Sequence, residues 1–205
     1  MKRGRSFFVT ALFAVLFITS CSRAEYTYDI IDLGKYCVAQ SINDNGQVVG
    51  SMLTYSNHVV LFDTTGKGNH IILDSDSMEA SIAECINNKG QIVGYEMVGM
   101  VLVVTVFDST GNGDNLHIEG TWAGGEAYEI NNLGHIVGYV NNNEGRFAAL
   151  FNAMDPLESV LLGALTIPGS VALSINDKDR VVGLSAITEH RGHAAWFDSS
   201  GGGDN

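Results

Sequence analysis

"SINDNGQVVG" occupies residues 41–50, and the chain repeats nearly the same phrase as "CINNKGQIVG" at 85–94, "EINNLGHIVG" at 129–138 and "SINDKDRVVG" at 174–183. Asn suits the first position of a type I turn. Gly three residues later suits the left-handed position that closes a bulged hairpin. Asn43 with Gly46, Asn87 with Gly90 and Asn131 with Gly134 fit that pattern. In the fourth copy Asn176 is followed by Asp179 where the glycine would stand. Aspartate tolerates the left-handed region better than most residues, so this hairpin is expected to form with some strain. The apolar run before the last glycine of each phrase reads as a strand leaving the turn.

The four asparagines are 44, 44 and 45 residues apart. A second phrase keeps the same period: "VVLFDTTGKGN" at 59–69, "VTVFDSTGNGDN" at 104–115, "AALFNAMDPLE" at 148–158 and "AAWFDSSGGGDN" at 194–205. Each is an apolar strand ending in Phe, followed by a turn. One period therefore holds four short strands. In the first full period they are strand a ending at Phe62, b over 70–74, c over 81–87 and d over 91–95. Four antiparallel strands in about 44 residues are the content of one propeller blade, and such a unit buries both faces only by stacking on its neighbours. The expectation is an all-β propeller. "YTYDIIDLG" at 26–34 reads as a strand b with no strand a before it, and the last phrase is a strand a with no b after it. Pairing the two would close a four-bladed ring and remove the sheet edge. The alternative is a piece of a longer array. Residues 146–162 are rich in Ala, Leu and Met and could pass for a helix on propensity, but the repeat register assigns them to strands.

These phrases resemble the HAF repeat family of bacterial extracellular proteins. That family's pattern runs approximately A-x-x-I-N-x-x-G-x-V-V-G, then G-H-A-F-x-W, then D-L-G. The phrase at 41–50 matches the first part, "GHAAWF" at 192–197 the second and "IDLG" at 31–34 the third. The resemblance covers nearly everything after Tyr26. It implies an exported protein with propeller-like repeats, and it implies no particular activity. The family histidine is present at His58 and His193, whereas Val103 and Phe147 stand in the other copies, a pattern that suits packing better than catalysis.

The N-terminus reads as an address. "MKRGR" is basic, and the uncharged run at 7–18 is shorter than the roughly 20 apolar residues that span a bilayer. "ITSC" at 18–21 is similar to a bacterial lipobox. That likeness implies cleavage before Cys21 and lipidation of its thiol and amine, which would anchor the chain in the membrane. Ser22 after the cysteine favours the outer membrane. Residues 1–20 would then be a signal peptide, 21–25 a short tether and 26–205 the repeat domain. An ordinary secretory signal is the alternative. Cys37 and Cys85 sit on one face of equivalent strands, which favours two buried free thiols over a disulfide.

Formal net charge is −12, and loss of Lys2, Arg3 and Arg5 with the signal segment makes the chain more acidic still. Such a surface repels phosphate backbones and excludes nucleic acid as a natural partner. No catalytic constellation is recognisable, so the chain is read as no enzyme, and no cofactor or metal is expected. The oxygens of "DSTGNGDN" at 108–115 read as turn chemistry, because the other copies break the set. Glu84 and Glu129 read as polar strand residues. The b–c and d–a connections vary in length and content, and variable loops on a rigid scaffold are where binding usually sits. Tyr55, Trp122, Tyr139, Arg146 and Arg191, with His190, fall at that end and are the candidate ligand-binding residues for a glycan or a surface protein. Trp122, flanked by glycines, could stack on a sugar or pack over its own sheet.

Overall fold

Each repeated phrase folds into the hairpin that its chemistry dictates. In the computed structural model Gly46, Gly90 and Gly134 have φ of +74°, +78° and +98°, and Asp179 takes the same left-handed position at +57°. The turns close by bonds from Gly46 N–H to the Asn43 carbonyl (2.9 Å) and their three counterparts, including Asp179 N–H to Asn176 (3.0 Å). The structure describes residues 28–53, 57–74, 80–120, 122–155, 158–165, 169–188 and 191–199. Contacts divide the chain into 1–30 and 31–205, and the second unit holds every strand described below.

Four antiparallel sheets follow one another along the chain. The first contains β1 (Cys37–Ile42), β2 (Val48–Leu53), β3 (Asn57–Leu61) and β4 (Ile71–Ile72). The second contains β5 (Ser81–Ile86), β6 (Ile92–Val98), β7 (Val101–Phe107) and β8 (Leu116–His117). β9 (Gly125–Ile130), β10 (His135–Asn142), β11 (Gly145–Asn152) and β12 (Val160–Gly163) form the third, and β13 (Ser170–Ile175), β14 (Val181–Thr188) and β15 (Arg191–Phe197) the fourth. Strands pair in sequence order, so each sheet is a meander that starts with the strand ahead of the Asn turn. Within 146–162, residues 146–152 belong to β11 and 160–162 to β12, as the register requires and against the helix propensity of the stretch.

The glycine that ends each phrase has a steric reason. The strand ahead of each turn bulges by one residue, at Gln40, Glu84, Tyr128 and Leu173, where the ladder skips a position. The bulge presses a carbonyl onto the facing strand. A Cβ at Gly50, Gly94, Gly138 or Gly183 would overlap the main-chain oxygen of Val38, Ile82, Glu126 or Val171. These glycines serve close backbone approach rather than a positive φ.

The sheets stack face to back. Val49, Val59 and Leu73 of the first pack on Ala83, Ile86, Ile92 and Phe107 of the second. Val93, Val104 and Ile118 pack on Ala127, Ile130, Ile136 and Phe151, and Val137, Ala148 and Leu162 pack on Ala172, Ile175, Val181 and Phe197. The same repeat positions thus build all three interfaces. Leu33 and Cys37 cover Val48, Val60 and Phe62 on the outer side of the first sheet. Cys37 and Cys85 are free thiols, each half-buried, and burial pushes the Cys85 thiol up.

The expected closure is not formed. Residues 28–36 contain no strand, and β15 has no neighbour on its outer edge among the described residues. The segment around Leu33 lies on its own first sheet instead, where apolar surface was available. The four sheets therefore form an open stack in the described structure.

Candidate functional site

The strands that precede the Asn turns, β1, β5, β9 and β13, approach one another along the inner side of the stack. Their four turns line one shared depression. Asn43, Asn87 and Asn131 do two jobs there, and Asn176 does the first of them. The side-chain oxygen takes backbone N–H groups of its own turn: Asn45 and Gln47 on Asn43, Lys89 and Gln91 on Asn87, Lys178 and Arg180 on Asn176. The Nδ2 donates to the next repeat: Asn43 to the Asn87 carbonyl (2.9 Å), Asn87 to Asn131 (2.9 Å), Asn131 to Asn176 (3.0 Å). Aspartate could serve the turn but has no donor for the neighbour, which favours Asn at the three positions that have a following sheet.

Two further contacts repeat from each sheet to the next, the first with its donor on the earlier sheet and the second with its donor on the later one. Asp44, Asn88 and Asn132 donate backbone N–H to the side chains of Asn88, Asn132 and Asp177 (2.9, 2.9 and 2.8 Å). The side chains of Ser41, Cys85 and Glu129 accept the N–H of Ile86, Ile130 and Ile175. Glu129 is thereby committed to structure. Glu84 and Glu129 stand at different repeat positions and do not form a carboxylate pair.

Further along the inner strands a second polar group gathers around Glu126 of β9. Tyr139 on β10 donates its hydroxyl to Glu126 Oε1 (2.5 Å), and Tyr128 donates to Oε2 (2.8 Å). The two tyrosine rings lie 6.0 Å apart, and the Arg146 guanidinium sits 4.0 Å over the Tyr139 ring. Burial, and then the bond to Glu126, raise both tyrosines far above the usual phenol range. Tyr95 is pushed up to about 12 by burial and by the charges of Glu126 and Glu84. All three hydroxyls are therefore donors at neutral pH. Glu84 accepts from Gln40 Nε2 (3.3 Å) across the first interface.

Burial, with the nearby Glu126 charge adding to it, raises the Glu84 carboxyl above the ordinary carboxylate range. A carboxyl raised on folding binds its proton more tightly in the folded state. Stability is then lost as pH climbs from the ordinary carboxylate pKa through the raised one. Glu84→Gln is expected to raise the melting temperature at pH 7, with the gain vanishing at pH 4. Thermal unfolding of both proteins at the two pH values checks this.

Of the residues expected at the loop-rich end, Tyr139 and Arg146 come together in this group. Trp122 stands apart, half-buried, with its indole edge-on to Phe151 at 6.1 Å, and it lines a shallow depression with Asn142 and Glu144. Arg191 is exposed at the start of β15 in the fourth sheet, whereas Glu126 belongs to the third. Tyr55, His190 and the lipidation candidate Cys21 lie outside the described residues. Glu126, Tyr128 and Tyr95 were not singled out in the sequence. The signal for Tyr128 is its bulge position, where the four copies read Gln40, Glu84, Tyr128 and Leu173 and three of the four side chains are polar.

The turn loops use their own oxygens. The Thr65 hydroxyl and N–H hold Asp63, pulling its carboxyl down to about 2, and the Thr110 hydroxyl and N–H hold Asp108 and lower its carboxyl as well. No group of three or more metal-type side chains occurs among the described residues, and no helix there is long and apolar enough to cross a membrane.

A family model described as a protein of unknown function (DUF3466) matches residues 22–102. No curated protein and no solved structure matches the chain.

Proposed function

We propose that the four sheets are consecutive blades of a β-propeller of the HAF-repeat type, and that the chain is an exported, lipid-anchored binding module of the cell envelope. Residues 1–20 serve as the signal and Cys21 as the anchor. The ligand is a neutral glycan, held beside Glu126. One observation carries this reading: a carboxylate gripped by two tyrosine hydroxyls, with an arginine stacked on one of the rings. The half-buried Glu126 carboxylate and Tyr128 hydroxyl offer an acceptor and a donor to neighbouring sugar hydroxyls, while the buried Tyr139 holds the carboxylate in place. The acidic chain disfavours an anionic ligand. The reading is one of binding without turnover.

Thermal unfolding of the full chain across a panel of neutral oligosaccharides tests it. A ligand at 100 times its dissociation constant adds about 2.7 kcal/mol to a folded protein. A shift with one sugar class is expected, lost in Tyr128→Phe and Glu126→Gln and kept in Arg191→Ala. The absence of a shift with every sugar, or a shift that survives both site variants, contradicts the proposal. A second reading, as a structural component of the envelope with a protein partner, is favoured by the uncovered faces at the two ends of the stack.

A further inference from the structure

The three interfaces between sheets are copies of one design, and each end of the stack presents half of a fourth. On the fourth sheet Val182 is 48% exposed, whereas its counterparts Val49, Val93 and Val137 are fully buried. Leu184 and Trp196 extend the same uncovered face, with Trp196 61% exposed. On the first sheet Ile42 is 68% exposed, whereas Ile86, Ile130 and Ile175 are 4–5% exposed. Ala39 is exposed where Ala83, Ala127 and Ala172 are fully buried. The face that receives a neighbour and the face that fills one are both left open, at opposite ends of the chain's four repeats.

The polar contacts are left open in the same sense. Asn176 Nδ2, the Asp177 N–H and the Ser174 side chain have no partner among the described residues, although the equivalent groups of the three earlier repeats all bond forward. Their complements are the Asn43 carbonyl, the Asp44 carboxylate and the Ile42 N–H, all on the first sheet. Apolar shape, donor direction and repeat position agree on what fits the fourth sheet. It is a sheet like the first.

We infer that the fourth sheet of one molecule docks on the first sheet of a second copy, so that the repeat interface continues from chain to chain. The contact is head-to-tail. It therefore propagates until the rotation per molecule closes a ring, or runs on as an open array if it does not. It centres on Val182 against Ala39 and Ile42, on the inner half of the sheet. Leu33 already covers the outer half of the first sheet.

The test is sedimentation velocity of the full chain in mild detergent over a range of concentrations, with Val182→Glu and Ile42→Glu. Both substitutions fall on exposed positions, and circular dichroism confirms their folding. The wild type is expected to form species of two or more copies that grow with concentration, and each variant alone is expected to be a monomer. An equimolar mixture of the two variants should give a species of twice the monomer mass and nothing larger, because each variant keeps the half that the other lacks. A wild type that stays monomeric at every concentration overturns the inference. So does assembly that both variants leave intact, or a mixture that stays monomeric. Glycan binding beside Glu126 is read on different residues, so either result stands without the other.

Discussion

Alanine at Gly138 is expected to destabilise the chain by at least about 3 kcal/mol, at the upper end of the usual cost of overpacking. The added methyl group would overlap the Glu126 carbonyl oxygen, which belongs to the backbone of the adjacent strand and cannot rotate away. β9 and β10 would have to separate. The Tyr139 and Tyr128 bonds to Glu126 sit on those same two strands, so ligand binding should fall with stability. Gly46→Ala is the control. It places a residue at φ +74° with no atom near the new Cβ, so it carries only the left-handed penalty of about 1 kcal/mol. Denaturant titration of the two variants separates a steric clash from a conformational preference. Equal costs would show that the bulged strand does not press on this glycine.

The second large effect is expected at Asn131. It is buried, and its side chain makes five bonds. Oδ1 accepts from Leu133, Gly134 and His135, and Nδ2 donates to the Asn176 carbonyl and to Asp179. Asn131→Ala removes them all and strands buried N–H groups, at about 1–3 kcal/mol for each group left unsatisfied. A loss of about 3 kcal/mol is expected. Asn131→Asp keeps the acceptor and loses the donor, placing a carboxylate against a carbonyl. It should cost nearly as much although it preserves the turn. Asn176→Asp, at an exposed position with no forward contact, should cost well under 1 kcal/mol. If Asn131→Asp is as mild as Asn176→Asp, the bond to the next repeat contributes little. Denaturant midpoints of the three variants decide the matter.

The architecture was readable because it is periodic. Four in-register copies of one turn phrase locate the hairpins, and the phenylalanine phrase locates the next strand. The prediction of a left-handed Asp179 came from the same alignment. The long-range closure was not readable. The segment 26–34 has apolar residues in strand-like order, yet Leu33 finds its burial on the first sheet, and sequence alone does not rank two apolar surfaces. The second task of the asparagines was hidden for a related reason. A turn explains Asn by itself, and only the juxtaposition of repeats shows that the carboxamide also donates forward. At the candidate site Tyr139 and Arg146 were visible as polar residues at the variable end. Glu126, which gathers them, looked like any strand residue, because its importance comes from a bulge that brings Tyr128 onto the same carboxylate.

The central claim is a directed ladder that couples each sheet to the next, and amide hydrogen exchange on the full chain tests it most directly. The N–H groups of Ile86, Ile130 and Ile175 and of Asp44, Asn88 and Asn132 lie on inner edge strands or in exposed turns. Unbonded, they would exchange quickly. The account predicts slow exchange at all six, and slow exchange at Ile42 and Asp177 only at concentrations where the chain assembles. Exchange at the six positions as fast as at the exposed Met100 would contradict it.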